Sequence, residues 1–418
     1  MAQLSDDCFA FGGTLLSIDS ARDMIFERVQ PVAGIEQVPL RKALGRTLAQ
    51  DVAAPIALPG YDNSAVDGYA ARFDDLHPDH ATTLLCVDRI AAGHDPSATL
   101  QAGMAARIFT GAILPAGADV VIMQEDCERT GDKVTIRPGI KRGANTRRAG
   151  EDVAQGARAL TAGRRLGPAD LGLLAALGFV EVPVRRKLSV ALLSTGDEVR
   201  EPGETLRHGQ IHDANRYVLA GLLERLGVEV DDRGVVGDDQ SRLGAALREA
   251  ASGNDLIITS GGVSTGEEDH VRGAIANHGS LYFWRLAIKP GRPVAMGQIG
   301  ATPLAGLPGN PVAALLTFAL VARPIMEALS ATTPYLAQRF RVIADFPYKK
   351  RQGRREYVRA SLSRSAGGGL AKARRYPKEG AGMLTSLTET DGLVELSEET
   401  TRLEPGAEVD FIPYNELI

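Results

Sequence analysis

Leu188-Ser189-Val190-Ala191-Leu192-Leu193, running into Ser194-Thr195-Gly196-Asp197-Glu198, is the stretch from which the fold is read. A short, almost unbroken apolar run that stops at a polar, Gly-containing loop is what a strand buried on both faces requires. Downstream, Val218, Leu222, Leu223 and Leu226 recur at helical spacing over 214–226, and Gly227 ends that helix. Val228 to Val236 reads as the next strand. Residues 241–251 form a second helix through Leu243, Ala246, Leu247 and Ala250, and Asp255 to Thr259 form a third strand entering Ser260-Gly261-Gly262. Strands alternating with helices predict a central parallel α/β sheet over 188–330 with helices on both faces. Ligands of such sheets sit beyond the carboxyl ends of the strands, where both Gly-containing loops fall.

Outward from this core the texture changes. Residues 14–29 predict a helix, with Leu15, Ile18, Arg22, Ile25 and Val29 at helical spacing. From about 46 to 147, Gly and Pro punctuate short apolar runs, which predicts a β-rich region. Pro168 to Gly178 reads as a short helix. After about 331, strand-like runs at Phe340 to Phe346, Glu356 to Leu362 and Val409 to Ile412 predict a small β-barrel or sandwich. The fold class is multidomain α/β plus β.

With 418 residues the chain is too long for one core. A net charge of −5 lacks the basic excess of a nucleic-acid binder. The apolar stretch Val312 to Met326 is short and carries Arg323, so a buried helix explains it better than a membrane span. No basic region followed by an apolar run opens the chain, so no secretory signal is expected. Cys8, Cys86 and Cys127 form no CxxC pair, and the histidines show no HExxH spacing, which argues for free thiols in a reducing cytoplasm and against zinc.

Four features carry chemistry. The loop Ser260-Gly261-Gly262-Val263-Ser264-Thr265-Gly266-Glu267 leaves a strand, and its glycines let backbone N–H groups approach a phosphate or pterin oxygen; a tight strand-to-helix turn is the plainer reading. In Gly306-Leu307-Pro308-Gly309-Asn310-Pro311, Asn310 can cap the following helix with Pro311 at its first position, but capping leaves Pro308-Gly309 unexplained, so a binding loop is favoured. Asp67, Asp152, Glu198, Asp238 or Asp239, and Asp269 fall at loop positions. Mg²⁺ takes one or two carboxylates plus substrate phosphates, and Glu198 and Asp269 both follow strands of one sheet; singly, each acid is also explained as a helix cap or turn residue. Lys289-Pro290-Gly291-Arg292, Arg285, Arg142, Arg147, Arg148, Arg354 and Arg355 supply cations, usually solvated faces. Lys289 and Arg292, however, sit at a strand end, where a second anion would need them: two like charges about 4 Å apart repel by about 4 kcal/mol at an effective dielectric of about 20.

Taken in order, these segments resemble the molybdopterin molybdenumtransferase family, which includes the E domain of gephyrin. The matching strings are Pro59-Gly60-Tyr61-Asp62-Asn63-Ser64-Ala65-Val66-Asp67-Gly68-Tyr69-Ala70, Ile108 to Ala112, Gly117-Ala118-Asp119, Arg147 to Asp152, Ser194 to Glu198, Gly209 to Asn215, Ser260 to Glu267, Lys289 to Pro293 and Gly306 to Pro311. The resemblance implies an N-terminal linking and dimerisation subdomain (1–54 with 148–187), an inserted β-rich subdomain (55–147), a molybdopterin-binding α/β domain (188–330) and a C-terminal barrel (331–418). It implies a cytoplasmic homodimer whose site lies between the α/β domain of one protomer and the inserted subdomain of its partner. The implied reaction inserts molybdate into adenylated molybdopterin with Mg²⁺-dependent hydrolysis, giving molybdenum cofactor and AMP. Carried over by motif, Asp67, Thr110, Asp152, Glu198, Asp238 and Asp269 take catalytic roles, with Glu198 and Asp269 on the metal. Ser260, Gly261, Gly262, Ser264, Gly266, Pro308, Gly309, Asn310 and Pro311 bind substrate, and Lys289, Arg292 and Ser386, with Arg354 or Arg355, line a molybdate patch. Transient contact with the upstream adenylyltransferase and with molybdoenzyme maturation proteins is implied; nucleic acid and membrane are not. Arg292 and Arg285 stand where the family often has Lys, keeping charge but replacing a point donor by a planar fork. Two other readings are an adenylyltransferase, which would need only the middle third, and a non-enzymatic scaffold.

Overall fold

The computed structural model describes residues 15–261, 270–275, 279–364 and 368–417. At its centre the Ser189–Thr195 strand lies between Glu229–Val236 and Leu256–Ser260, parallel to both, and Thr302–Leu307 adds a fourth parallel strand. Pro293–Ile299 and Gly279–Arg285 complete a six-stranded sheet. The expected parallel sheet is corrected to a mixed one, because Pro293–Ile299 runs antiparallel to both neighbours. The cause is local. Only Gly300 and Ala301 separate it from Thr302, with Gly300 at φ +58°, and two residues close a hairpin but cannot carry a crossover.

Alternate residues of the Ser189–Thr195 strand feed two cores, which is why the run is apolar throughout. Val190 and Leu192 pack with Leu219, Leu222 and Leu223 of the Asn215–Arg225 helix, and Ala191 and Leu193 pack with Leu243, Leu247 and Ala250 of the Gln240–Gly253 helix. Pro311–Leu329 is one helical rod with a π-turn at Phe318–Ala322. Its length and composition would suit a membrane span, yet it is mostly buried inside the protein, and Arg323 pairs with Glu327 at 2.8 Å. It is a core helix.

Toward the N-terminus, Ile35–Pro39 pairs with Glu181–Arg185 and Val52–Ala53 with Arg158–Leu160, joining distant segments around Leu48, Leu174, Val182 and Val184. The intervening chain forms a six-stranded sheet in the order Val120–Met123, Gly68–Ala71, Met104–Ile108, Thr82–Ile90, Lys133–Ile136 and Cys127–Thr130. Cys86 and Cys127 are free thiols; Cys8 lies outside the described residues. At the C-terminus, Arg355–Ser363, Lys372–Arg375, Phe340–Ala344, Glu408–Pro413 and Gly392–Leu396 pair in that order. Gly392–Leu396 then returns to Arg355–Ser363, so the five strands close into a barrel rather than a sandwich. Ile288–Lys289, from the central domain, pairs alongside Arg355 and Glu356.

Candidate active site

The carboxyl ends of the central strands converge on three loops. Gly196 sits at φ +138°, and a Cβ there would lie 2.4 Å from Glu198 Oε2, so only glycine lets the exposed Glu198 fold back over its own loop. Asp238 joins this loop to the next: the Asp238 amide donates to Asp197 Oδ1 at 3.0 Å and the Asp197 amide to Asp238 Oδ2 at 3.1 Å. Asp239 caps the following helix by accepting from the Arg242 amide at 2.7 Å. Gly261 (φ +86°) brings its backbone against Thr195, whose carbonyl oxygen would be 2.6 Å from an added Cβ. Asn215 ties these loops together, its amide donating to Ser260 Oγ and to the Gly309 carbonyl, each at 2.8 Å. Among the described residues, Ser194 Oγ, Thr195 Oγ1, Thr259 Oγ1 and Asn215 Oδ1 are buried polar atoms without a protein partner. Such atoms cost stability and cluster where function needs them. Gly262, Ser264, Gly266 and Asp269 lie outside the described residues.

The Pro308-Gly309-Asn310-Pro311 loop leads into the barrel. Asn310 stands at the N-cap and Pro311 opens the helix, as the sequence suggests, but the Asn310 side chain makes no cap hydrogen bond. Its Oδ1 lies instead by Gly382, 3.5 Å from where a Cβ would stand, and the Val312 amide donates to the Ala381 carbonyl at 3.0 Å. Next to this contact is a cavity of about 220 Å³, with Lys289, Arg359, Arg375 and Lys378 among aromatic rings including Tyr348 and Tyr376. Lys289 Nζ stands 3.5 Å from Glu356 Oε2 and 3.4 Å from the Tyr348 hydroxyl. Arg359 donates to Ser386 Oγ and to the Gly380 carbonyl, each at 2.8 Å, and burial pulls its pKa below the usual arginine value. Ser386 is fully buried, so it acts by holding Arg359. Arg354 is engaged by Glu356 at 2.6 Å and Arg355 by Glu398 and Asp19, so neither lines the cavity. Arg292 is exposed and also outside the cavity wall.

A third cluster lies on the N-terminal six-stranded sheet. The Thr110 amide and hydroxyl both donate to Asp67 Oδ1, at 2.8 and 2.7 Å, and these bonds hold the Asp67 carboxyl below the usual range. Gly68 permits the close approach of strands here, since a Cβ would lie 1.9 Å from the Ile122 carbonyl oxygen. Arg107 stacks on Tyr69 and Phe109 and donates to the Gly68 carbonyl at 3.0 Å, while Arg89 stacks on Phe109 at 4.6 Å. Asp152 is exposed on a loop held by Leu58, its amide donating to the Leu58 carbonyl at 3.1 Å. Among the described residues, no hydrogen bond or ion pair links Asp67, Thr110 or Asp152 to Glu198 or Asp238.

Comparison with known proteins matches three family models in sequence: MoeA N-terminal region (domain I and II) over 16–178, probable molybdopterin binding domain over 191–328, and MoeA C-terminal region (domain IV) over 341–414. The molybdopterin molybdenumtransferase of Haemophilus influenzae is 37% identical over 97% of this chain and 100% of its own. The chain belongs to the molybdopterin molybdenumtransferase family. Molybdopterin molybdenumtransferase 2 of Mycobacterium tuberculosis is 38% identical over 89% of this chain and 93% of its own. A solved MoeA protein from Pyrococcus horikoshii superposes with a TM-score of 0.80 at 29% identity, covering 96% of this chain and all of that one. Arg359, Arg375, Lys378, Arg89 and Arg107, which no sequence motif singles out, are brought to these clusters by the fold. Arg359 carried a faint signal, lying in the Glu356 to Leu362 strand as a charge among apolar residues.

Proposed function

We propose that this chain inserts molybdate into adenylated molybdopterin, releasing molybdenum cofactor and AMP, as a cytoplasmic homodimer. The observation that carries the reading is continuity: the Gly309–Pro311 loop, held by Asn215 at the carboxyl ends of the sheet, adjoins through Val312 and Ala381 the cationic cavity of Lys289 and Arg359. A phosphate-bearing pterin and an oxyanion would thus lie side by side, and proximity of two reactants supplies much of a rate.

Among the described residues no group of three metal-ligating side chains is gathered. A magnesium ion held by the exposed carboxylate of Glu198 and otherwise by substrate phosphates accords with that ion's usual ligands, and Asp269, outside the described residues, is the second ligand the motif implies. Bound there, it would offset phosphate charge in the displacement. The chain's own residues do the rest. Lys289 and Arg359 hold the oxyanion, backbone amides of the Gly261 and Gly309 loops orient the pterin phosphate, and Asp67, kept ionised by Thr110, faces the substrate from the partner protomer. Asp238 positions the Glu198 loop through Asp197.

The test is AMP release from adenylated molybdopterin with and without molybdate and Mg²⁺. Release dependent on both supports the reading; ATP consumption without molybdate would point to adenylyl transfer, and no turnover of either to a scaffold.

A further inference from the structure

A cavity of about 780 Å³ is lined by none of these loops. Its wall includes Leu188, which precedes the Ser189–Thr195 strand, and Gly227 and Val228, which precede Glu229–Val236. It therefore lies at the amino ends of the parallel strands, the edge opposite the active site. Segments 45–47, 159–165 and 330–335 close it, bringing the N-terminal region against the central domain.

Its lining is unusual in charge: seven cationic side chains and one carboxylate, Glu327. Arg46, Arg164 and Arg186 are paired outward with Glu36, Asp170 and Asp255, and Glu327 is occupied by Arg323 and the Tyr335 amide. Arg165, Arg185 and Lys187 remain without a carboxylate among the described residues. Among the described residues the Arg165 side chain donates to the Arg225 carbonyl at 3.0 Å and that of Arg185 to the Ala33 carbonyl at 3.2 Å. Partial desolvation, and to a lesser extent the Arg323 charge, lower the pKa of Arg165, while Glu327 pulls the other way. Hydroxyls line the same wall, with Thr47 and Thr332 in contact at 2.7 Å, and Ser330 also on Thr332 at 2.7 Å. Leu160, Leu188 and Met326 give an apolar side, and the Tyr335 ring stacks on Arg323 at 4.1 Å. Uncompensated cations select an anion, and the volume, within the usual range of about 300–1,000 Å³ for ligand sites, is too large for a bare oxyanion. We propose that this cavity is a second ligand site, which takes a small organic phosphate of nucleoside-monophosphate size and clamps the N-terminal region to the central domain.

The experiment uses AMP as probe on the full-length protein, with adenosine and inorganic phosphate as controls. Calorimetry measures affinity and hydrogen exchange locates it. AMP is expected to protect 159–165 and 330–335, adenosine and inorganic phosphate to bind about tenfold more weakly or worse, and the Arg165→Ala/Arg185→Ala double variant to lose affinity about tenfold or more, with molybdate-dependent turnover unchanged. Lys187→Ala, at an exposed position that leaves folding intact, is expected to weaken AMP by several-fold. Equal binding in the variants, or protection confined to 194–198 and 306–311, overturns the proposal. So does protection of 159–165 that grows with protein concentration without AMP, since a second copy would then cover the cavity.

Discussion

Asp67 takes both Thr110 donors on one carboxylate oxygen, leaving Oδ2 free of protein hydrogen bonds among the described residues. A carboxylate held this way stays charged at lower pH than an ordinary aspartate. Because its folded pKa is depressed, the stabilisation from these bonds is fully present above the unfolded value and is lost as pH falls through the folded one. Asp67→Asn is expected to reduce molybdate-dependent AMP release about 10²-fold, with only a small loss of thermal stability from weakening the two Thr110 bonds. Thr110→Val should move the acid limb of the rate profile upward in pH; an unmoved limb would remove Thr110 from this role. Arg359, which donates to the buried Ser386, fixes the far wall of the cationic cavity. Arg359→Ala should raise the apparent KM for molybdate about tenfold or more, whereas Ser386→Ala should act more weakly, through loss of Arg359's position.

At the scale of elements, Asn215 begins one helix and bridges two strand-end loops that are remote in sequence. Replacing it with Leu leaves Ser260 Oγ and the Gly309 carbonyl without their donor, and is expected to lower stability by about 1–3 kcal/mol in denaturant unfolding while raising KM for the pterin. The central strands and helices were legible because a strand buried on both faces and a one-sided helix have distinct periods. The antiparallel Pro293–Ile299 strand was not: periodicity carries no direction, and only the two-residue Gly300-Ala301 link reveals it. Asp67, Glu198 and Lys289 could be named from motifs because their loops are built from Gly and Pro with few alternatives. Arg359 and Arg107 lie within strands, where their role depends on what the opposite strand brings near, and no local spacing records that.

For the whole molecule, the acids of the N-terminal sheet and those of the central loops have no bond between them among the described residues. The proposed site, assembled across a dimer's two-fold axis, has a clear consequence. Mixing the inactive Asp67→Asn and Glu198→Gln variants, with exchange of subunits, should restore activity to about a quarter of wild type, since half the dimers are mixed and each has one intact site. Silence after verified exchange would place both acids in the same protomer.

The Ile288–Lys289 strand belongs by sequence to the central domain but pairs with the barrel's Arg355 and Glu356. Truncation at residue 331 would accordingly leave a stub with Lys289 stripped of Tyr348, Glu356 and Arg359, and with its strand bare of hydrogen-bond partners. Such a fragment would retain the loops proposed to face the pterin yet lose the cavity proposed to hold the oxyanion. Dissection of this chain into autonomous pieces thus has to keep the barrel attached to the central domain.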